Sequence, residues 1–137
     1  MTQKITTSVA QLIDAARRDI EGIEAASALK LFGQELDPFV DIRVPRELER
    51  DGRVPGAFHC PRGMLEFWID PASPYHKPQF NQAKKYVFFC AGGLRSVLAT
   101  KIAQDMGLKP VAHIVGGYKA WREAGGPAQP DRPKRKT

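Results

Sequence analysis

The amino-acid sequence predicts an α/β domain organised around a mainly parallel sheet with helices on both faces. Three observations lead there. Short apolar runs alternate with stretches of helical periodicity along the chain, the pattern of strand–helix–strand crossovers. The run "YVFFC" (86–90) is continuously apolar, as a strand covered on both faces must be. No internal repeat or second block of composition breaks the chain, whose 137 residues, 42% hydrophobic and 26% charged, are ordinary for one globular domain.

Near the start, Val9, Leu12, Ile13, Ala16 and Ile20 recur at helical spacing behind Ser8, a good N-cap, and define a helical extension over residues 1–20. "IEAASALKLFG" (23–33) reads as a strand tip running into a short helix that Gly33 closes. "DPFVDIR" (37–43) is a short buried strand after a turn, and Pro45 in "VPRELERDG" suits the first turn of the next helix. "VPGAFHCPRG" (54–63) carries turn residues at both ends of a brief apolar strand. Met64, Leu65, Phe67 and Trp68 then cover the core ahead of a proline-rich loop. After "YVFFC", Leu98, Ile102 and Met106 form one helical stripe, widened by Val97 and Ala103 and ended by Gly107. "VAHIV" (111–115) is the last strand, and "GGYKAWREAGG" (116–126) a closing helix that Trp121 anchors to the sheet.

The net charge is +6, and the tail over 128–137 contributes half of it. The remainder is spread along the body, so the pattern suits a flexible, solubilising tail and argues against a nucleic-acid partner. No run approaches the ~20 apolar residues of a membrane helix, and the first residues hold no hydrophobic signal core, so a cytoplasmic location without membrane contact is expected. Two cysteines, Cys60 and Cys90, are too few for a disulfide framework, and no CxxC or Cys/His cluster points to zinc. Both are expected as free thiols in a reducing compartment.

Cys90 is the thiol in a telling place. It ends a central strand, and in open α/β sheets ligands sit outside the carboxyl ends of the strands. In Cys90-Ala91-Gly92-Gly93-Leu94-Arg95-Ser96 a strand stops, the chain turns, and a helix starts near Arg95–Ser96. Gly92 and Gly93 can take positive φ at no steric cost, which lets backbone N–H groups turn inward over the sulfur. The unsatisfied N–H groups and positive dipole end of the helix point the same way. An ordinary thiol is only a few per cent thiolate at neutral pH, and ~2.7 kcal/mol of preferential stabilisation makes the anion the major form. Several charge-assisted N–H contacts of ~1.5–3 kcal/mol each can supply that.

At these residues the chain resembles the rhodanese (thiosulfate sulfurtransferase) family. The likeness covers about residues 20–127 and rests on "FVDIRVPRE", "VPGAFHCPRGMLEF", "FFCAGGLRSVLAT" and "VGGYKAW", in that order. It implies a rhodanese-like domain over 21–127, a five-stranded sheet and a six-residue loop Cys90–Arg95. It further implies that Cys90 is the catalytic cysteine, taking sulfur from a small anionic donor such as thiosulfate and passing it, as a persulfide, to cyanide or a thiol. Ala91, Gly92, Gly93, Leu94, Arg95 and Ser96 then form the substrate-binding loop, with Arg95 steadying anionic charge, while Asp41 and Arg43 order the structure behind it. No metal or organic cofactor is implied, and a monomer or weak dimer is expected.

Val44 and Arg53 depart from the acidic residue and the histidine common at those places in the family, which alters surface pairing. Cys60 is expected to pack in the core and His59 to make a structural hydrogen bond; His76 and His113 receive no role. Two rivals remain. A cysteine-loop phosphatase resembles this site, but its loop places five residues between cysteine and arginine where four stand here. A non-catalytic sulfur carrier or docking module would have the same sequence.

Overall fold

The computed structural model describes residues 2–131. Five strands, β1 (Glu21–Ile23), β2 (Phe39–Asp41), β3 (Phe58–His59), β4 (Tyr86–Phe89) and β5 (Val111–Ile114), form one parallel sheet in the order β1-β5-β4-β2-β3. The helices are α1 (Val9–Arg17), α2 (Ala25–Leu29), α3 (Pro45–Asp51), α4 (Leu65–Ile69), α5 (Arg95–Asp105) and α6 (Gly117–Glu123). β2 to β5 stand where apolar runs predicted them, while β1 reaches back from the expected tip at Ile23 to the exposed Glu21 and Gly22. None of the described helices is long and apolar enough to cross a membrane.

Strand order positions the site. From β2 the chain moves outward to β3, then returns past β2 to β4 and steps the other way to β5. The direction therefore reverses between β2 and β4, and a crevice opens outside their carboxyl ends. Side-chain alternation along β4 sorts the two faces. Tyr86, Phe88 and Cys90 pack with Leu65, Ile69, Ala99 and Ala103 on the α4/α5 side. Val87 and Phe89 pack with Ala28, Ile114, Tyr118 and Trp121 on the α2/α6 side. Trp121 is fully buried there, edge-on to Phe39 at 5.1 Å between centroids.

Two sequence expectations are corrected. The buried stripe of α5 is Ser96, Val97, Ala99, Thr100 and Ala103, while Met106 is 40% exposed and Leu98 and Ile102 are only partly buried. The helix lies between the sheet, α1 and α4, so small side chains fit beneath it and the larger ones flank it. Of the apolar group in "MLEFW", Leu65 fills the core and Trp68 packs on Phe58, but Phe67 faces outward against Tyr75. In the tail expected over 128–137, Gln129 pairs by backbone with Arg53, and Asp131 meets the Arg53 guanidinium at 3.3 Å. Residues 132–137 lie outside the described residues.

Candidate active site

Where β4 ends, the backbone turns through Gly93 (φ 97°) and enters α5 at Arg95. Gly92 needs no positive φ, so one glycine, not two, carries the turn. A Cβ on Gly93 would stand 2.8 Å from the Gly116 nitrogen, so only glycine at 93 lets the loop approach the β5–α6 turn this closely. Gly117 (φ 64°) is under the same constraint, since a Cβ there would run into the Cys90 and Ala91 carbonyl oxygens. Those carbonyls accept from the first turn of α6: Tyr118 N–H donates to Cys90 O at 2.8 Å and Lys119 N–H to Ala91 O at 3.1 Å. A trans peptide puts N–H opposite C=O, so tying these carbonyls to α6 turns the Ala91 and Gly92 amides away from it.

The Cys90 sulfur is buried and accepts the Gly93 N–H at 3.2 Å. The Ser96 hydroxyl lies 3.6 Å from the same sulfur. The expected ring of amides around Sγ is thus reduced, among the described hydrogen bonds, to one amide.

Arg95 makes its hydrogen bonds to Glu47, with the Cys90 sulfur close enough to act on its charge. Its guanidinium grips Glu47 in a bidentate pair, with Nη1 to Oε1 at 2.9 Å and Nη2 to Oε2 at 2.8 Å. Glu47 Oε1 also accepts the Val44 N–H at 3.0 Å, closing the start of α3. The Arg95 hydrogen bond holds the Glu47 carboxyl at about 2, well below its ordinary range. In turn Glu47, and to a lesser degree the Cys90 sulfur, keep Arg95 charged more firmly than usual. Sequence reading missed Glu47. A glutamate two residues after Pro45, in the first turn of a helix leaving β2, marks the helix start but does not name its partner.

Asp41 and Arg43 meet as a fully buried pair, Nη2 to Oδ2 at 2.7 Å. Arg43 also donates to Gly52 O at 2.9 Å and lies 4.2 Å over the Tyr118 ring, the residue whose amide holds the Cys90 carbonyl. His59 bonds the Arg43 carbonyl through Nε2 at 2.7 Å. Cys60 is buried in the same core cluster as Cys90, and burial pushes its thiol up to about 12.

His113, given no role from sequence, has a partner here. Its Nδ1 lies 3.2 Å from the Ser96 hydroxyl. Burial, seconded by the Arg17 charge, pushes its imidazole below the ordinary value and favours the neutral ring. Beside it lies a cavity of about 310 Å³ lined by Arg17, Ile20, Gly22, Gly93, His113 and Gly116, among others.

The profile of the rhodanese-like domain family matches residues 24–124. Human thiosulfate:glutathione sulfurtransferase is 32% identical over 90 residues, which are 61% of this chain and 76% of that protein. Bacillus subtilis YtwF, named as a sulfurtransferase, is 30% identical over 97 residues, 71% of this chain and 84% of the other. The chain spans about half the length of a mouse thiosulfate sulfurtransferase/rhodanese-like domain-containing protein, at 26% identity over 87 residues. Among solved structures, a Rhodopseudomonas palustris protein of unknown function, suggested to be a tyrosine phosphatase, superposes with a TM-score of 0.91 at 60% identity, over 94% of this chain and 99% of that one. The human single-domain sulfurtransferase shares the fold, with a TM-score of 0.62 at 23% identity over 74% of this chain and 95% of that one.

Proposed function

Because the chain belongs to the family of rhodanese-like domains, we propose that it is a sulfurtransferase, moving sulfane sulfur from a donor such as thiosulfate to a thiophilic acceptor through a persulfide on Cys90. The observation that carries this reading is the Cys90 sulfur at the end of the central strand, 3.2 Å from the Gly93 amide just ahead of α5. The Cys90 thiolate attacks the outer sulfur of thiosulfate. A bond forms from Sγ to that sulfur, the S–S bond of the donor breaks, and its electron pair leaves with sulfite. An acceptor thiolate or cyanide then attacks the terminal sulfur, and the Cys90 thiolate departs as leaving group.

In this reading the loop amides that do not reach Sγ serve the persulfide, whose outer sulfur stands one bond further into the loop. Arg95, partly exposed and fixed by Glu47, meets the anionic donor at the mouth. Asp41 and Arg43 keep Tyr118, and through it the loop, in register.

The suggestion attached to the Rhodopseudomonas relative favours a second reading, in which the loop takes a phosphoryl group. Four residues between Cys90 and Arg95 leave a smaller ring than a phosphate needs. Intact-mass measurement after thiosulfate treatment tests the first reading. One added sulfur on the wild type, discharged by cyanide or thiol and absent from Cys90→Ser, supports it. Discharge without turnover indicates a carrier, and hydrolysis of an aryl phosphate without sulfur loading overturns sulfur transfer in favour of the phosphatase.

A further inference from the structure

The geometry points to a proton path from the reactive thiol: Cys90 to Ser96 to His113, opening into the cavity behind the loop. Three observations meet here. The Ser96 hydroxyl stands between two partners, 3.6 Å from Cys90 Sγ and 3.2 Å from His113 Nδ1. One hydroxyl can accept from the thiol and donate to the imidazole at once, provided His113 carries its proton on Nε2. Second, His113 is 4% exposed and no hydrogen bond holds its Nε2, yet no buried side-chain nitrogen or oxygen among the described residues lacks a partner. The edge bearing Nε2 therefore reaches open space, and that space is the cavity of about 310 Å³. A Cβ on Gly22, the neighbouring residue of β1, would come within 3.2 Å of Nε2, so glycine there keeps the edge free. Third, the cavity is lined by Gly92 and Gly93 of the loop but not by Arg95 or Glu47. Arg95 and Glu47 stand at the mouth beside α3, while His113 lies under α5 on the next strand.

The step balances without a co-reactant. The Cys90 S–H proton moves to Ser96 Oγ as the Ser96 hydroxyl proton moves to His113 Nδ1, leaving a thiolate and an imidazolium. The imidazolium releases its Nε2 proton to water in the cavity. That leaves the neutral ring donating from Nδ1 to Ser96 Oγ and the Ser96 hydroxyl donating to the thiolate, and this chain of donors lowers the midpoint of the thiol. Arg17 on α1 is the charged side chain at the cavity wall, while β1 offers Gly22, β4 offers Phe88 and α5 offers Ser96. Burial and Arg17 both disfavour a standing imidazolium, so the proton is passed on and not kept. His113 is a positioning residue acting through Ser96.

The inference rests on Cys90 as the reacting thiol, and alkylation tests it separately from sulfur transfer. The rate of Cys90 modification by iodoacetamide is followed by peptide mass from pH 5 to pH 10. For His113→Gln we expect a rate about tenfold lower at neutral pH and equal to the wild type at the alkaline limit, with the midpoint moved upward. Ser96→Ala cuts the path at its other end and gives the same displacement should the histidine variant fold poorly. In His113→Ala, added imidazole restores the neutral-pH rate, and the rescue follows the neutral form of imidazole. Superimposable wild-type and variant profiles overturn the proposal, as does a rate loss uniform in pH that imidazole does not repair. If the profile shifts but thiosulfate loads no sulfur on the wild type, the transfer reading fails and the proton path stands.

Discussion

Glu47→Gln tests how much of the site is electrostatic. The Glu47 carboxyl is held at about 2 instead of its ordinary 4.5, chiefly by the hydrogen bond from Arg95. Taken whole, that depression corresponds to about 3 kcal/mol. Arg95 is 43% exposed, however, and water screens the pair, which brings the contribution to about 1 kcal/mol. The direction follows from linkage. A carboxyl whose folded value lies below its unfolded one stabilises fully above pH 4.5, and the contribution is lost as pH falls from 4.5 through about 2. Glu47→Gln should therefore be about 1 kcal/mol less stable than the wild type at pH 7, or about 3–5 °C in Tm for a domain this size. The gap should shrink to about a quarter of its pH 7 width at pH 2.5. Urea unfolding followed by tryptophan fluorescence at both pH values measures the gap. The same variant frees Arg95 from its anchor, and kcat/KM for thiosulfate should fall about tenfold, the equivalent of ~1.4 kcal/mol. A stability gap as wide at pH 2.5 as at pH 7 would refute the ion-pair account and make Glu47 a neutral helix cap.

Three further substitutions probe other supports of the loop. Gly117→Ala sets a Cβ against the Cys90 and Ala91 carbonyls at a positive φ, so the loop must shift. Sulfur loading by mass should drop at least tenfold, with ~1–3 kcal/mol lost in urea unfolding. Arg43→Met strands the fully buried Asp41 carboxylate and should cost about 3–5 kcal/mol, of which Asp41→Asn/Arg43→Met recovers part. Cys60→Ala should keep sulfur transfer intact, because a buried thiol pushed up to about 12 does not ionise at working pH. In the wild type, iodoacetamide at pH 8 should accordingly mark Cys90 and spare Cys60.

The strands and the cysteine loop were legible because their signals are local. A four-residue apolar run, a cysteine, glycines and a helical pattern follow one another within 22 residues of chain. Serine as N-cap of α1 and proline at the start of α3 are likewise decided by neighbours in sequence, whereas α2 ends at Leu29 with Lys30 as its cap, ahead of the Gly33 expected to close it. The buried stripe of α5 was not legible in that way. Apolar spacing alone favours Leu98, Ile102 and Met106, but the choice of face depends on how closely the helix is held to the sheet. That closeness depends on contacts with the sheet, α1 and α4, made by residues far apart in the chain.

The same distinction separates the site residues that were anticipated from those that were missed. Arg95 meets Glu47 across 48 positions, and Ser96 meets His113 across 17. Neither pairing has a local signature, because each depends on which strands lie side by side. Once the order β1-β5-β4-β2-β3 is known, both follow from simple geometry. β2 and β4 are neighbours, so the helix leaving one faces the loop leaving the other, and a glutamate in its first turn can reach an arginine in the first turn of α5. β4 and β5 are also neighbours, in register Phe88 to His113. Side chains two apart share a face, so Cys90 and His113 point to the same side of the sheet, toward the helix that begins with Arg95–Ser96. A histidine in an otherwise apolar final strand is costly to bury without a partner, and the residue available to receive it is the serine that also lies beside the Cys90 sulfur.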